Sequence, residues 1–468
     1  MMAKYNPLTP ELVKELESIV GEKNVTVDPD KLETYSHDEE TDPRYQHMPE
    51  AVVFPDNAEQ IAEILKLANR ETVPVVARGG GTGLAAAAVP LFGGIVISTE
   101  HMNQVLEINE EAMYMVVQPG VRTDDVQKAA KEKGLFYAGD PCSGDSCVIG
   151  GNVATNAGGN RAIKYGTTRN QVYGFQVVTP QGKIVRLGGR LEKSTTGYSL
   201  DHLVMGAEGT LGIITEITLR LKPMPQNVID LLAIFPTIDQ AIGIVTKIIK
   251  AGITPTCVEF MDNATVKSVE HFLKAKQPHS DIGNYIIIQV EGQTEEDMED
   301  KSVLLDDLCM ANGALEVLVA DPAKIWHARK SFLEAAREES LIQSKEDMVV
   351  PVNQIANLMH EAAGISAKYG LVSRIASHAG DGNVHFHVLK GNIADDVWDS
   401  TLKAFQKEIY TLVYKLGGKL SGEHGIGYKR RHLMEEYTNP DELEMMRAIK
   451  KAMDPKLILN PGKIFTVE

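Results

Sequence analysis

The chain has 468 residues, 43% hydrophobic and 24% charged, with 47 Lys plus Arg against 64 Asp plus Glu and a formal net charge of −17. That is about three domains' worth of ordinary folded chain, and its acidity argues against nucleic acid or anionic lipid as the main partner, because both need a basic stripe. The cysteines at 142, 147, 257 and 309 form no CxxC pair and suit neither a disulfide framework nor, unless all are used, an iron–sulfur cluster. A reducing compartment is expected, with any redox chemistry on another centre.

Met1 to Pro7 lead into a charged helical pattern rather than an apolar signal core. No stretch approaches the roughly 18 apolar residues of a membrane span, so a cytoplasmic location with no transmembrane segment is expected. The periodicity predicts a helix over 9–20, a strand at Ala51 to Phe54, a helix over 58–71, strands at Val73 to Ala77 and Ile95 to Ile97, a strand at Met113 to Gln118 and a helix over 122–134. Between 139 and 225 glycine becomes dense and long helical periods are few. That density is expensive in folding entropy and points to backbone lying close against a ligand.

The rhythm resets at Pro223 and Pro225. Strands over 228–235, 256–260, 284–291 and 315–319 alternate with helices over 238–251 and 295–312. A second pass has a strand over 347–352, a helix over 353–369, paired strands over 371–378 and 384–389, and a helix over 395–416. Each pass resembles a β-α-β-β-α-β unit, whose sheet leaves one face for a site. The expected division is a domain over 1–225, a second over 226–418, and a segment over 419–468 that returns to the first.

Arg78-Gly79-Gly80-Gly81-Thr82-Gly83-Leu84 follows directly on a predicted strand, where backbone N–H groups can cradle phosphate. Gly81-x-Gly83-x-x-Ala86 fits the nicotinamide fingerprint, but that fingerprint must open a helix and Pro90 comes too soon. A plain tight turn would need only one or two of these glycines. The loop resembles the pyrophosphate-binding loop of the flavoprotein family that includes vanillyl-alcohol oxidase and p-cresol methylhydroxylase. Further stretches resemble that family's flavin-contacting motifs in order: Pro119-Gly120; Asp140-Pro141-Cys142-Ser143 with Gly150, Gly151, Asn152, Thr155, Asn156, Gly158 and Gly159; Glu208, Gly209, Gly212, Ile213 and Ile214; and Asn460 in Asn-Pro-Gly-Lys. The resemblance implies an α+β fold, with a two-subdomain FAD-binding domain of the vanillyl-alcohol oxidase type and an inserted ferredoxin-like substrate (cap) domain. Some members attach the flavin through a His in the first loop. Arg78 to Leu91 contains none, so non-covalent FAD is expected.

Ser377-His378-Ala379-Gly380-Asp381-Gly382-Asn383-Val384-His385-Phe386-His387 carries a hairpin signal. If Asp381-Gly382 is a two-residue turn, His378 lies directly opposite His385, with Cβ atoms roughly 4.5–5.5 Å apart, close enough to share a metal. Gly422-Glu423-His424-Gly425 adds a carboxylate and another imidazole between glycines. A lone strand His is ordinarily structural, but opposed His residues with a nearby Glu favour a metal site. Two His and one carboxylate suit Zn²⁺, Fe²⁺ or Mn²⁺.

These motifs resemble the branch containing D-lactate dehydrogenases, the glycolate oxidase flavoprotein subunit and D-2-hydroxyglutarate dehydrogenase. The resemblance implies His378, His385 and Glu423 as ligands of a divalent metal, His424 as base, and Arg329 and Lys345 as cations for the substrate carboxylate. It implies FAD-dependent oxidation of a D-2-hydroxy acid, D-lactate or glycolate foremost, to the 2-keto acid, with C2 hydride passing to flavin N5. Electrons would leave to an electron-transferring flavoprotein, an iron–sulfur subunit or a quinone. The alternatives are a flavin oxidase or alkyl-glycerone-phosphate synthase on the same scaffold, a metal hydrolase using the His/Glu cluster alone, and a non-catalytic FAD-binding electron-transfer subunit.

Overall fold

The computed structural model describes residues 5–40 and 42–467; the reading of Met1 to Lys4 falls outside them. The chain forms two compact units, one comprising the residues up to Ala157, Thr167–Met224 and those from His424 onward, the other Gly158–Gly166 and Pro225–Glu423. The divisions at 224/225 and 423/424 lie beside the expected 225/226 and 418/419, and the short segment 158–166 joins the second unit.

The first unit begins with helix Pro10–Val20, set by Thr9 as its cap and Pro10 in its first turn. Strands Val25–Thr26, Ala51–Val53, Ile95–Ser98 and Val75–Arg78 form a sheet in that order, with the last three parallel. Helix Ala58–Glu71 buries Ile61, Leu65 and Ala68 in a cluster with Val75, Ile95, Ile97 and Ile458. The C-terminal tail lies along Val75–Arg78: Val75 donates to Ile458 O at 2.8 Å and Asn460 donates to Val75 O at 2.7 Å.

A second, antiparallel sheet runs Val105–Asn109, Tyr114–Val117, Ile213–Arg220, Val172–Val178 and Ile184–Gly188. Helices Thr123–Glu132 and Ile149–Thr155 contribute Val126, Ala130, Ile149 and Val153 to its core cluster. The glycine-rich stretch over 139–225 therefore holds three of this sheet's strands, which its irregular composition hid.

In the second unit the strands are β1 Asn227–Phe235, β2 Cys257–Met261, β3 Asn284–Gly292, β4 Glu316–Val319, β5 Gln343–Val349, β6 Val372–His378 and β7 Asn383–Leu389. The two β-α-β-β-α-β passes do not make separate sheets. Among the described residues they fuse into one antiparallel seven-stranded sheet, ordered β4-β1-β3-β2-β6-β7-β5, through the pairing of β2 with β6. The strand expected over 347–352 lies earlier, at Gln343–Val349, because Pro351 ends the ladder and a short turn follows.

Helices Ile238–Lys250, Glu295–Ala311, Ile355–Lys368 and Asp395–Lys415 pack against one face of this sheet. There Phe386 stacks on Phe405, and Glu346 accepts from Gln406 and Tyr410. The other face is partly covered by helices Asn263–Leu273, Pro322–Lys330 and Phe332–Glu339, none of which the periodicity suggested. Leu232, Met261, Val266, Tyr285, Ile287, Ile325 and Phe332 form the cluster beneath them. Ile287→Ala is expected to cost about 2–5 kcal/mol, read as a shift of the second unit's unfolding transition to lower denaturant.

Candidate functional site

In the first unit the glycine loop lines a cavity of about 570 Å³ with Arg78, Gly79 and Gly80, joined by Gly120, Val121, Ser146 and Val148. Ideal Cβ atoms on Gly79 and Gly80 would lie 2.6 Å from Val148 Cγ2 and 2.6 Å from Ser146 O, so these glycines permit one loop to lie on the other. Among the described residues no protein acceptor takes the N–H groups of Gly79 to Leu84. A run of unclaimed backbone donors beside a cavity fits a pyrophosphate-bearing cofactor. No helix follows the loop; residues 84–88 form bends and turns.

The other expected cofactor residues divide between this cavity and the scaffold around it. The Arg78 guanidinium donates to His37 O at 2.5 Å and Thr34 O at 3.2 Å, which fixes the neighbouring segment. Gly120 follows Pro119, whose carbonyl accepts from Gly150 N at 2.8 Å. In the loop after Asp140, Pro141 O and Ser143 O accept from Gly144 N and Cys147 N. Gly150, Gly151, Asn152 and Thr155 lie on helix Ile149–Thr155, where Asn152 donates to Thr123 Oγ1 at 2.8 Å and Thr155 Oγ1 to Gly151 O at 3.1 Å. Asn156 Oδ1 accepts from Thr167 Oγ1 and Arg169 N, each at 2.9 Å.

Glu208 is buried, and its carboxylate accepts from Ile426 N at 2.7 Å and Gly427 N at 2.8 Å. Asn460 donates to Glu208 O at 2.7 Å and Ala87 O at 2.9 Å. Gly209 turns the chain at positive φ, and Gly212, Ile213 and Ile214 enter strand Ile213–Arg220. Lys463, buried in the same network, is pushed down to about 7 by burial, although Glu208 and Asp38 oppose the shift. Asp38, beside Gly83, is driven up to about 6, chiefly by burial.

The second cluster lies in the second unit. The hairpin does not close through a two-residue turn: residues 379–382 form the loop, Gly382 takes φ +97°, and His378 pairs with Asn383. His385 faces Ala376, so the expected direct opposition of His378 and His385 is corrected to a diagonal one on the same sheet face. The diagonal still brings the rings together, with centroids 5.0 Å apart and planes at 85°.

Both His378 Nε2 and His385 Nε2 lie 3.2 Å from Glu423 Oε1. His378 Nδ1 lies 2.7 Å from Glu259 Oε1. A carboxylate only accepts, so Nδ1 carries a proton and Nε2 faces the shared centre. Burial opposes charge on His378, but Glu259 and Glu423 hold its pKa well above the usual imidazole value. Glu423 would be raised by burial, yet His378 and His385 hold it well below the carboxylate range. Asp381 is driven up to about 7, mainly by burial.

The donor atoms of His378, His385 and Glu423 all lie within 4.8 Å of one another, a set that could hold a divalent ion with open positions. Among the described residues no such group includes a cysteine. Gly158 and Gly159, expected against the cofactor, fall in this unit; an ideal Cβ on Gly158 would lie 2.7 Å from Glu423 Oε2. Arg329 is buried and faces Glu259 through Nε at 3.0 Å and a terminal nitrogen at 2.8 Å. Lys345 is fully buried on β5, opposite His387 and on the same face as Asp347. His424 follows Glu423 in the chain and is half-buried in the first unit.

Sequence reasoning missed Glu259 and Asp347. A buried Glu inside the apolar run Cys-Val-Glu-Phe-Met was the available signal for the first. Asp347 Oδ2 accepts from Ser421 Oγ at 2.6 Å and from Gly422 N and Glu423 N at 3.0 Å each, contacts the sequence does not display.

Residues 49–188 match the FAD binding domain family, and residues 224–464 match the C-terminal domain of FAD linked oxidases. A D-lactate dehydrogenase of Anaerostipes hadrus is 36% identical over 473 residues, covering 98% of each chain. Glycolate oxidase subunit GlcD of Bacillus subtilis is 38% identical over 465 residues, covering 98% of this chain and 97% of its own. The solved structure of p-cresol methylhydroxylase with substrate bound aligns with a TM-score of 0.81 at 19% identity, over 97% of this chain and 96% of that one. The fold is thus of the vanillyl-alcohol oxidase type.

Gly80→Ala should force Ser146 away from the loop and weaken FAD binding about ten- to hundredfold, measured as flavin released on dilution. Asp38 binds its proton more tightly folded than unfolded, so its contribution to stability falls as pH rises from about 4 to about 6. Asp38→Asn should remove up to about 3 kcal/mol of that slope, seen as a flatter dependence of the unfolding midpoint on pH.

Proposed function

The chain belongs to the FAD-linked oxidase family, and on that footing we propose that it oxidises a short 2-hydroxy acid, D-lactate or glycolate foremost, to the 2-keto acid. The observation that carries the site assignment is the convergence of His378 Nε2, His385 Nε2 and Glu423 Oε1 at one face of the second unit's sheet. When bound, FAD supplies the two-electron acceptor for the C2 hydride, and a divalent ion at the His/Glu cluster supplies Lewis-acid charge at the substrate oxygen.

The residues divide the remaining work. His378, His385 and Glu423 would hold the ion, and Asp347 holds the backbone of Glu423 in place. His424 takes the hydroxyl proton as base, a role that a neutral imidazole can fill. Lys345 contributes positive charge for the substrate carboxylate from a position closed to water, where charge is screened least. Arg329 already faces Glu259, so in this reading it orients the substrate together with Lys345 rather than as a lone clamp. The loop from Gly79 to Leu84 binds the FAD pyrophosphate without a covalent link.

Electrons leave to an external acceptor, an electron-transferring flavoprotein, an iron–sulfur subunit or a quinone. The four cysteines support this reading: among the described residues all are free, and three are buried. No helix among the described residues is long and apolar enough to cross a membrane.

Anaerobic mixing with a panel of D- and L-2-hydroxy acids should bleach the flavin with D-lactate or glycolate; a flavin that no hydroxy acid reduces would overturn the reading. Chelation should abolish turnover while FAD stays bound, and His424→Ala should lower kcat by about 10²–10⁴ with little change in substrate affinity.

A further inference from the structure

Glu259 lies in the middle of β2, flanked by Val258 and Phe260, and is fully buried. Burying an ionised carboxylate is unfavourable by several kcal/mol unless it is paired and hydrogen-bonded. Both its oxygens have partners. Oε1 accepts from His378 Nδ1 at 2.7 Å, and Oε2 faces Arg329 Nε at 3.0 Å and its terminal nitrogen at 2.8 Å. The sheet register sets this geometry, since Glu259 pairs directly with His378 across the β2–β6 seam and the two side chains leave the same face.

We infer that Glu259 is the positioning residue of the divalent-ion site proposed above: by accepting the Nδ1 proton of His378 it fixes the tautomer and the ring plane that aim Nε2 at Glu423 and His385. The inference rests on the metal reading of that site. Arg329 acts one step further out, anchoring Glu259 through its second oxygen so that the carboxylate cannot turn away from the imidazole. An imidazole held in this way offers a more basic lone pair and loses less rotational freedom on binding an ion. The third donor has a comparable support, because Asp347 accepts from Ser421, Gly422 and Glu423 and so fixes the backbone that carries the Glu423 carboxylate.

The competing explanation is that Glu259 serves only as charge partner to a buried Arg329. The double variant Glu259→Gln/Arg329→Met separates the two, since it removes the ion pair as a unit and leaves no unpaired buried charge. Holoenzyme stripped with a chelator is titrated with Zn²⁺ against a chromophoric competitor, with FAD content and circular dichroism followed in parallel. Wild type should bind one Zn²⁺, and the double variant should bind it about 10- to 100-fold more weakly, with FAD retained and the visible spectrum of the Co²⁺ form altered.

Zn²⁺ affinity and Co²⁺ spectrum equal to wild type in the double variant would overturn the inference while leaving the metal reading intact. If wild type takes up no Zn²⁺, and His378→Ala behaves identically, the metal reading falls and this inference with it. Should the double variant lose FAD or helical signal, Glu259→Gln/Arg329→Gln, which removes both charges and keeps a hydrogen bond between the two side chains, is read in the same titration, with the same two deciding outcomes.

Discussion

The pairing of β2 with β6 is the constraint on which the second unit's chemistry depends. Three residue pairs, Glu259 with His378, Phe260 with Ser377 and Met261 with Ala376, join two half-sheets that would otherwise each expose an edge of unpaired backbone groups. Because side chains alternate faces along a strand, a slip of one residue would send Glu259 and His378 to opposite sides of the sheet. A slip of two would put Glu259 opposite Ala376 and leave both the carboxylate and Arg329 buried without the imidazole. The cluster draws on both halves, with Glu259 from one and Asp347, His378 and His385 from the other. Neither pass of the repeat could build it alone.

The same seam gathers carboxylates and imidazoles of both halves into one buried cluster. Glu259, Asp347 and Glu423 place carboxylates around two imidazoles, and Arg329 answers one of them directly. A divalent ion would be the largest local charge there, and it would reverse the sign that the surrounding carboxylates set. The formal charge of −17 does not set the field at this cluster, which is local and shielded from water.

What could be read in the sequence follows the range of the forces involved. Helix Ala58–Glu71 has the expected bounds, and every strand of the first β-α-β-β-α-β pass lies within two residues of its expected place, because these elements bury one face and so print a period. The helices at Asn263–Leu273 and Pro322–Lys330 were missed although Asp262 and Asp321 cap them, the second just before a proline; the cap signal was present and the apolar stripe was thin. The face shared by His378 and His385 was legible from alternation. Their register was not, because Asp381 and Gly382 allow either a two- or a four-residue loop and the choice is made by the ladder beyond. Glu259 was out of reach for the same reason: its partner is 119 residues away, across a seam that no local pattern announces.

Gly158 carries a packing constraint in addition to its expected place at the cofactor. Its place in the run Asn-Ala-Gly-Gly made it a cofactor residue by resemblance, and the neighbouring Asn156 does hold the first unit's backbone at Arg169. Yet the chain passes into the second unit between Ala157 and Gly158, and there the space a side chain would fill belongs to Glu423. Gly380, in the loop after His378, makes the matching concession to Ile163, and Gly422 makes one to Asn383. Of these three glycines, Gly158 makes room for the Glu423 carboxylate, while Gly380 and Gly422 make room for Ile163 and Asn383. Glycine at 158 thus lets the backbone approach the Glu423 carboxylate closely, a packing role separate from any contact with a cofactor.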